Sequence, residues 1–162
     1  IRSCLVGSEM CIRDSYVRRD SIYKTMDGVD CWDADRDARK FTGRGPVIAH
    51  PPCRGWGRLK AFAKPDVGEV ELAIIAAWVV RKNGGVLEHP QGSSLWKFLG
   101  LPVPAAGVDA FGGYTLVINQ SDFGHRALKP TWLYIVGCGS ENLPDAPRRY
   151  GFPDRTLSLI HI

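Results

Sequence analysis

Two short apolar runs, each closed by proline, constrain this chain most. Residues 46–50 stop at Pro51-Pro52, and residues 86–89 stop at Pro90. Proline has no N–H to give a ladder, so each run is expected to be a strand that ends where its proline begins. A single helical stretch separates them. Asp66 and Glu69 form a capping box just after Pro65, and Val67, Val70, Ile74, Ala77 and Trp78 recur at helical spacing. Asn83-Gly84-Gly85 then stops the helix. Strand, helix, strand is the βαβ pattern, so the two strands are expected to be parallel, joined by a right-handed crossover within one sheet. Both then end at the same edge. In open α/β sheets that carboxyl edge is where ligands bind. The fold class is therefore α/β, and Cys53 and Glu88, distant in sequence, are expected to meet at that edge.

The other segments fit around this unit. Residues 29–32 are a short apolar run that leads into the acidic stretch 33–37. Residues 93–99 read as a brief helix closed by Gly100. Residues 114–120 and 131–136 are strand-like and flank the polar loop 121–129. They are expected to form a terminal antiparallel pair whose loop returns to the same edge.

The two ends do not share this patterning. Leu5 to Asp14 is the translation of a sequencing adapter running into a transposon mosaic end, CTC GTG GGC TCG GAG ATG TGT ATA AGA GAC. Leu157 to Ile162 translates the reverse complement of the mosaic end, CTG TCT CTT ATA CAC ATC. Residues 1–15 and 157–162 are therefore expected to be adapter-derived tails that stay out of the core, with residues 16–156 forming one domain, truncated by its origin as a gene fragment. The net charge of +4 is unchanged by trimming, because Arg2 and Arg13 offset Glu9 and Asp14. Such a mild basic balance gives only slight preference to a polyanionic partner. No apolar run is long enough to span a membrane. Outside the tails, Cys31, Cys53 and Cys138 are too few and too scattered for a disulfide framework, so a reducing cytoplasm is the expected compartment.

Cys53 follows the rigid Pro-Pro turn and precedes Arg54 and Arg58. Neighbouring arginines lower a thiol's pKa, and the thiolate is the nucleophile; the competing reading is an inert buried cysteine. Glu88 closes an otherwise apolar strand. Desolvation there is expected to raise its pKa and make it a proton donor near neutral pH, the alternative being a surface carboxylate that caps a helix. His50, His89 and His125 match no tight ligand spacing, so no metal is expected. Arg36, Arg39, Lys40, Arg44, Arg54, Arg58, Lys60 and Lys64 surround the Cys53 turn, with Trp32, Trp56 and Phe62 interleaved, a composition suited to phosphates and bases but also to a solvated surface. Gly124, His125, Arg126 and Lys129 make a second basic loop. Trp78 and Trp96 are expected in the core.

Three of these segments, taken in order, resemble the DNA cytosine-5 methyltransferases, especially the small phage-type members. Ala49-His50-Pro51-Pro52-Cys53 resembles the family's Pro-Cys nucleophile turn. Leu87-Glu88-His89-Pro90 with Ser93-Ser94-Leu95 resembles its Glu-Asn-Val/Pro motif and following serine. Residues 120–132 resemble the later motif that carries a glutamine and basic residues. The resemblance implies a Rossmann-like methyltransferase sheet and transfer of a methyl group from S-adenosylmethionine to cytosine in DNA. Cys53 would add to ring carbon 6 while Glu88 protonates nitrogen 3, on a base that is flipped out or single-stranded. It further implies DNA contacts from Arg54, Arg58, Gln120, His125, Arg126 and Lys129, and cofactor contacts from Asp30, Asp33, Pro51 and Pro52. Three features depart from the family pattern. Residues 16–20 stand where a glycine-rich cofactor turn would be, His89 replaces the usual asparagine, and there is no room for a large target-recognition domain. Two other functions fit the same residues. His50-Pro51-Pro52-Cys53 also resembles the turn of the amino-group DNA methyltransferases, which needs no thiol, and a non-catalytic DNA-binding protein of the same fold needs no cofactor.

Overall fold

The computed structural model describes residues 12–16, 21–33, 35–143 and 155–156. In chain order its elements are β1 (Ile12–Ser15), β2 (Val29–Trp32), β3 (Val47–Ala49), α1 (Glu69–Asn83), β4 (Gly85–Pro90), α2 (Ser94–Leu99), β5 (Tyr114–Asn119), β6 (Ala127–Leu128), β7 (Pro130–Val136) and β8 (Arg155–Thr156). Six strands form one sheet in the order β2-β1-β3-β4-β7-β5, and β6 pairs with β8 apart from it. β2, β1, β3 and β4 are mutually parallel, whereas β7 runs antiparallel to both β4 and β5. The fold is thus α/β, with a mostly parallel mixed sheet and an antiparallel pair at one end.

Side chains alternate across the pleat. Val47, Ala49, Leu87, Tyr134 and Val136 point to the face that α1 and α2 cover, where Leu95 and Trp96 complete the core. Val86, Leu133 and Ile135 form a smaller cluster of their own with Tyr114, Leu116 and Ile118. Glu88 is two residues beyond Val86 and so shares its face. His89 shares the face of Leu87 and lies against Trp96, ring centroids 6.2 Å apart.

The helix is placed differently from its sequence pattern. It begins at Glu69 with Gly68 as its cap, and Ala73, Ala76, Ala77 and Val80 form the buried stripe. Val67 precedes the helix and is fully exposed, and Trp78 is half exposed, edge-on to Phe111 beneath the Arg81 guanidinium. Small alanines let the helix axis approach the sheet, so they outrank the bulkier residues as core formers. Only half of the expected capping box forms: the Glu69 carboxylate accepts the Asp66 N–H at 2.9 Å. Gly85, at φ 122°, turns the chain from helix into β4, and a Cβ there would overlap the backbone of Val47.

The expectation that residues before Tyr16 stay outside the core does not hold for β1. Ile12–Ser15 fills the slot between β2 and β3, and Asp14 and Ser15 are buried. The physical reason is that a ladder is built from backbone groups, which every residue type except proline supplies in full. Residues 1–11 and 157–162 lie outside the described residues. Cys138 is disulfide-bonded, which departs from the reduced state expected of it, while Cys31 and Cys53 are free thiols. No helix among the described residues is long and apolar enough to cross a membrane.

Candidate functional site

The carboxyl ends of β1, β3, β4 and β5 and the start of β7 converge on one edge of the sheet. Parallel pairing sets Ala49 beside Leu87, so the residues that follow, His50 and Glu88, are neighbours. β7 enters the sheet at this edge, which brings Lys129 and Thr131 alongside, and β5 leaves it at Gln120.

The Glu88 carboxylate is the hub. Its Oε2 lies 2.5 Å from His50 Nδ1, and its Oε1 accepts from Gln120 Nε2 at 2.6 Å and from Lys129 Nζ at 3.3 Å. Gln120 Nε2 also reaches the Thr131 hydroxyl at 3.2 Å. Burial opposes the carboxylate's charge, but the His50 hydrogen bond and the charges of Lys129 and His50 outweigh it and hold the pKa at about 2. This reverses the expected rise. Desolvation is present, but His50 and Lys129 together overcome it. For His50 the balance also favours charge: burial lowers its pKa, yet the hydrogen bond to Glu88 and the charges of Glu88 and Asp14 raise it above the ordinary value. Tyr23 stacks on the His50 ring at 6.2 Å.

Cys53 sits beside this hub on a tight turn. Its carbonyl accepts the N–H groups of Trp56 at 3.0 Å and Gly57 at 2.8 Å. Trp56 is buried and donates its indole N–H to the Val70 carbonyl of α1 at 3.0 Å, while its own carbonyl accepts the Ser94 N–H of α2 at 2.9 Å. The turn is therefore clamped between both helices. Burial raises the Cys53 thiol above its ordinary pKa; the Lys129 ammonium opposes the rise and the Glu88 carboxylate adds to it. The expected lowering by arginines fails for a geometric reason. Arg54 turns away to Glu69, bonding its Oε1 at 2.9 Å and also its Oε2, and to Asp66 at 2.9 Å.

The remaining candidates fall into three groups. Gln120 and Lys129 are in the hub. Arg58 is exposed, and so are Arg126 and His125, whose ring Nδ1 lies 2.9 Å from the Ala127 carbonyl. Pro51 is buried and Pro52 half-buried at the head of the Cys53 turn. Trp56 belongs to the core rather than to an exposed stacking surface, while Phe62 is largely exposed and Trp32 carries Arg36 over its ring at 4.2 Å. His89 faces away from His50 across the pleat, and burial pushes it down to about 4. Among the described residues no cluster of three or more His, Cys, Asp or Glu is placed to hold a metal ion.

Asp14 was not a sequence candidate, and no motif marks it. Parallel pairing puts it beside Ile48, on the face of Glu88. Both of its carboxylate oxygens are buried without a hydrogen-bond partner, and so is His50 Nε2, 3.7 Å from Asp14 Oδ1. Burial, opposed by His50 and reinforced by Glu88, raises Asp14 to about 6.

The two acids expected to hold S-adenosylmethionine already have partners within the chain. Asp30 is engaged by Arg36 at 2.6 Å and by the Trp32 indole at 3.0 Å. Asp33 is engaged by Lys24 at 2.5 Å and by the N–H groups of Asp35 and Arg36. After β1 comes Tyr16, at φ 68°, with its hydroxyl on the Leu72 carbonyl at 3.0 Å, in place of a glycine turn. Two cavities, of about 600 and 390 Å³, lie elsewhere, one lined by Val108, Phe111 and Gly139 and the other by Val117, Phe123 and Pro130. Compared with protein-family models and with curated proteins, the sequence matches none.

Proposed function

We propose that this chain is a DNA cytosine-5 methyltransferase-like protein whose described residues supply the base-activating half of the site. The carrying observation is that Cys53 and Glu88 share one sheet edge, close enough for the Glu88 and Lys129 charges to act on the thiol. A Cys53 thiolate to add to carbon 6 and a carboxyl group beside it to pass a proton to nitrogen 3 are the pair that cytosine activation needs. The sheet order, with antiparallel β7 set between β4 and β5, is compatible with the Rossmann-like arrangement. S-adenosylmethionine is the donor that the sequence resemblance implies.

The chemistry of this half needs no donor to be seen. The Cys53 thiol first loses its proton to solvent; as the thiolate sulfur bonds to carbon 6, the ring double bond shifts and nitrogen 3 takes a proton from Glu88. Carbon 5 then exchanges its hydrogen with water, and reversal breaks the carbon–sulfur bond and returns the nitrogen 3 proton. DNA tritiated at cytosine carbon 5 should release tritium to water in the presence of the protein. Cys53→Ser should abolish release and Glu88→Gln should slow it. DNA binding without tritium release would overturn the proposal and favour a non-catalytic DNA-binding protein, a reading to which the raised Cys53 thiol and the engaged Asp30 and Asp33 already lend weight.

A further inference from the structure

We propose that His50 is the proton reservoir of Glu88, a positioning residue that passes its Nδ1 proton to the carboxylate when a base docks and takes it back when the base leaves. This rests on the site reading given above. With His50 Nδ1 protonated, the Glu88 carboxylate is acceptor-only: Gln120 and Lys129 donate to one oxygen and His50 to the other. A group in that state cannot protonate a ring nitrogen, so the site needs a proton source within one hydrogen bond.

Three donors touch Glu88, and chemistry separates them. The Gln120 amide does not release a proton. The Lys129 contact is the longest at 3.3 Å, and an ammonium is by nature a much weaker acid than an imidazolium. His50 Nδ1 makes the shortest contact, at 2.5 Å. Its far nitrogen is prepared for the transfer. Nε2 is buried with no hydrogen-bond partner and faces Asp14 Oδ1 at 3.7 Å, so the proton that remains after transfer is favoured there. The ring is held for this exchange by Tyr23 stacked on it and by its backbone N–H on the Ser15 carbonyl at 3.1 Å. The groups facing His50 are thus Asp14 from β1, Tyr23 from the turn before β2, Glu88 from β4 and Lys129 from the strand β7 entrance. In the forward step the Nδ1–H bond breaks, its electron pair stays on the ring, and a carboxyl O–H forms on Glu88. That proton moves to nitrogen 3 as Cys53 adds, and the reverse sequence restores the imidazolium.

Two measurements on the full chain test the idea. Nitrogen-15 NMR should show His50 titrating above the ordinary histidine value, with a far-downfield Nδ1 proton, and Glu88→Gln should lower that midpoint. A His50 midpoint that Glu88→Gln leaves in place would overturn the proposal. Tritium release from cytosine carbon 5 should rise with pH as the Cys53 thiolate forms and level off above the His50 midpoint. His50→Asn, with its fold checked by its amide spectrum, should be slower by at least about ten-fold and should go on rising with no break at that midpoint. A His50→Asn protein with the wild-type rate and profile would also refute it. If no protein releases tritium, the site reading fails, and the NMR titration alone still decides whether His50 and Glu88 share the proton.

Discussion

Replacing Asp14 with asparagine should stabilise this protein, and the gain should depend on pH. Asp14 is 1 % exposed, and neither carboxylate oxygen has a hydrogen-bond partner. Burial is the main reason its pKa rises from 3.8 to about 6. A carboxyl group whose folded pKa lies above its unfolded value binds its proton more tightly in the folded state. Ionisation therefore works against folding. The penalty is absent below the unfolded value of 3.8, grows as pH rises, and is complete above about 6. A shift of two units corresponds to about 3 kcal/mol at pH 7. In a domain of this size that should raise the thermal midpoint of Asp14→Asn by roughly 6–10 °C. The assay is thermal unfolding of both proteins by circular dichroism at pH 7 and pH 4. Asparagine keeps the shape and the burial, so the difference between proteins isolates the charge, and titrations elsewhere cancel. A gain of equal size at both pH values, or a loss of stability at pH 7, would show that Asp14 has a compensating partner and refute the reasoning.

His89 should tilt stability the other way. Burial lowers its pKa to about 4, so the unfolded chain takes up a proton first as pH falls below the ordinary value of 6.5, and stability is lost between there and about 4; His89→Phe should remove about 3 kcal/mol of that acid sensitivity, read as a smaller drop in denaturation midpoint from pH 7 to pH 4. Cys53 should behave as a protonated thiol at neutral pH, because burial outweighs the Lys129 charge. Its alkylation by iodoacetamide, followed at the Cys53 peptide by mass spectrometry, should keep accelerating beyond pH 9, and Lys129→Met should slow it further; a plateau below pH 8 would mean that the thiolate is already formed.

The parallel pairing of β3 with β4 could be read from the chain because proline punctuation and a glycine stop are local signals, carried by residues that cannot act otherwise in a ladder or a helix end. The meeting of Cys53 and Glu88 at one edge followed from those signals alone. The antiparallel pair β5 and β7 was likewise expected from two strand-like runs and a short polar loop. What Cys53 and Glu88 are electrically was not legible. Both lie in desolvated places, and sequence supplies the burial but not the partners. Arg54 is adjacent to Cys53 in sequence yet spends its charge on Glu69 and Asp66, whereas Lys129, distant in sequence, acts on the thiol. Glu88 inverted from expected acid to firm carboxylate because His50 and Lys129, from two different segments, point at it together. The use of Ile12–Ser15 as a central strand was equally invisible. Backbone hydrogen bonding accepts almost any short segment, and only the unpartnered carboxylate of Asp14 records that its side chain is poorly matched to the slot. Local stereochemistry therefore determined the frame and the edge, and the charges that converge through space decided the chemistry there, because electrostatic energy depends on distance and burial rather than on order along the chain.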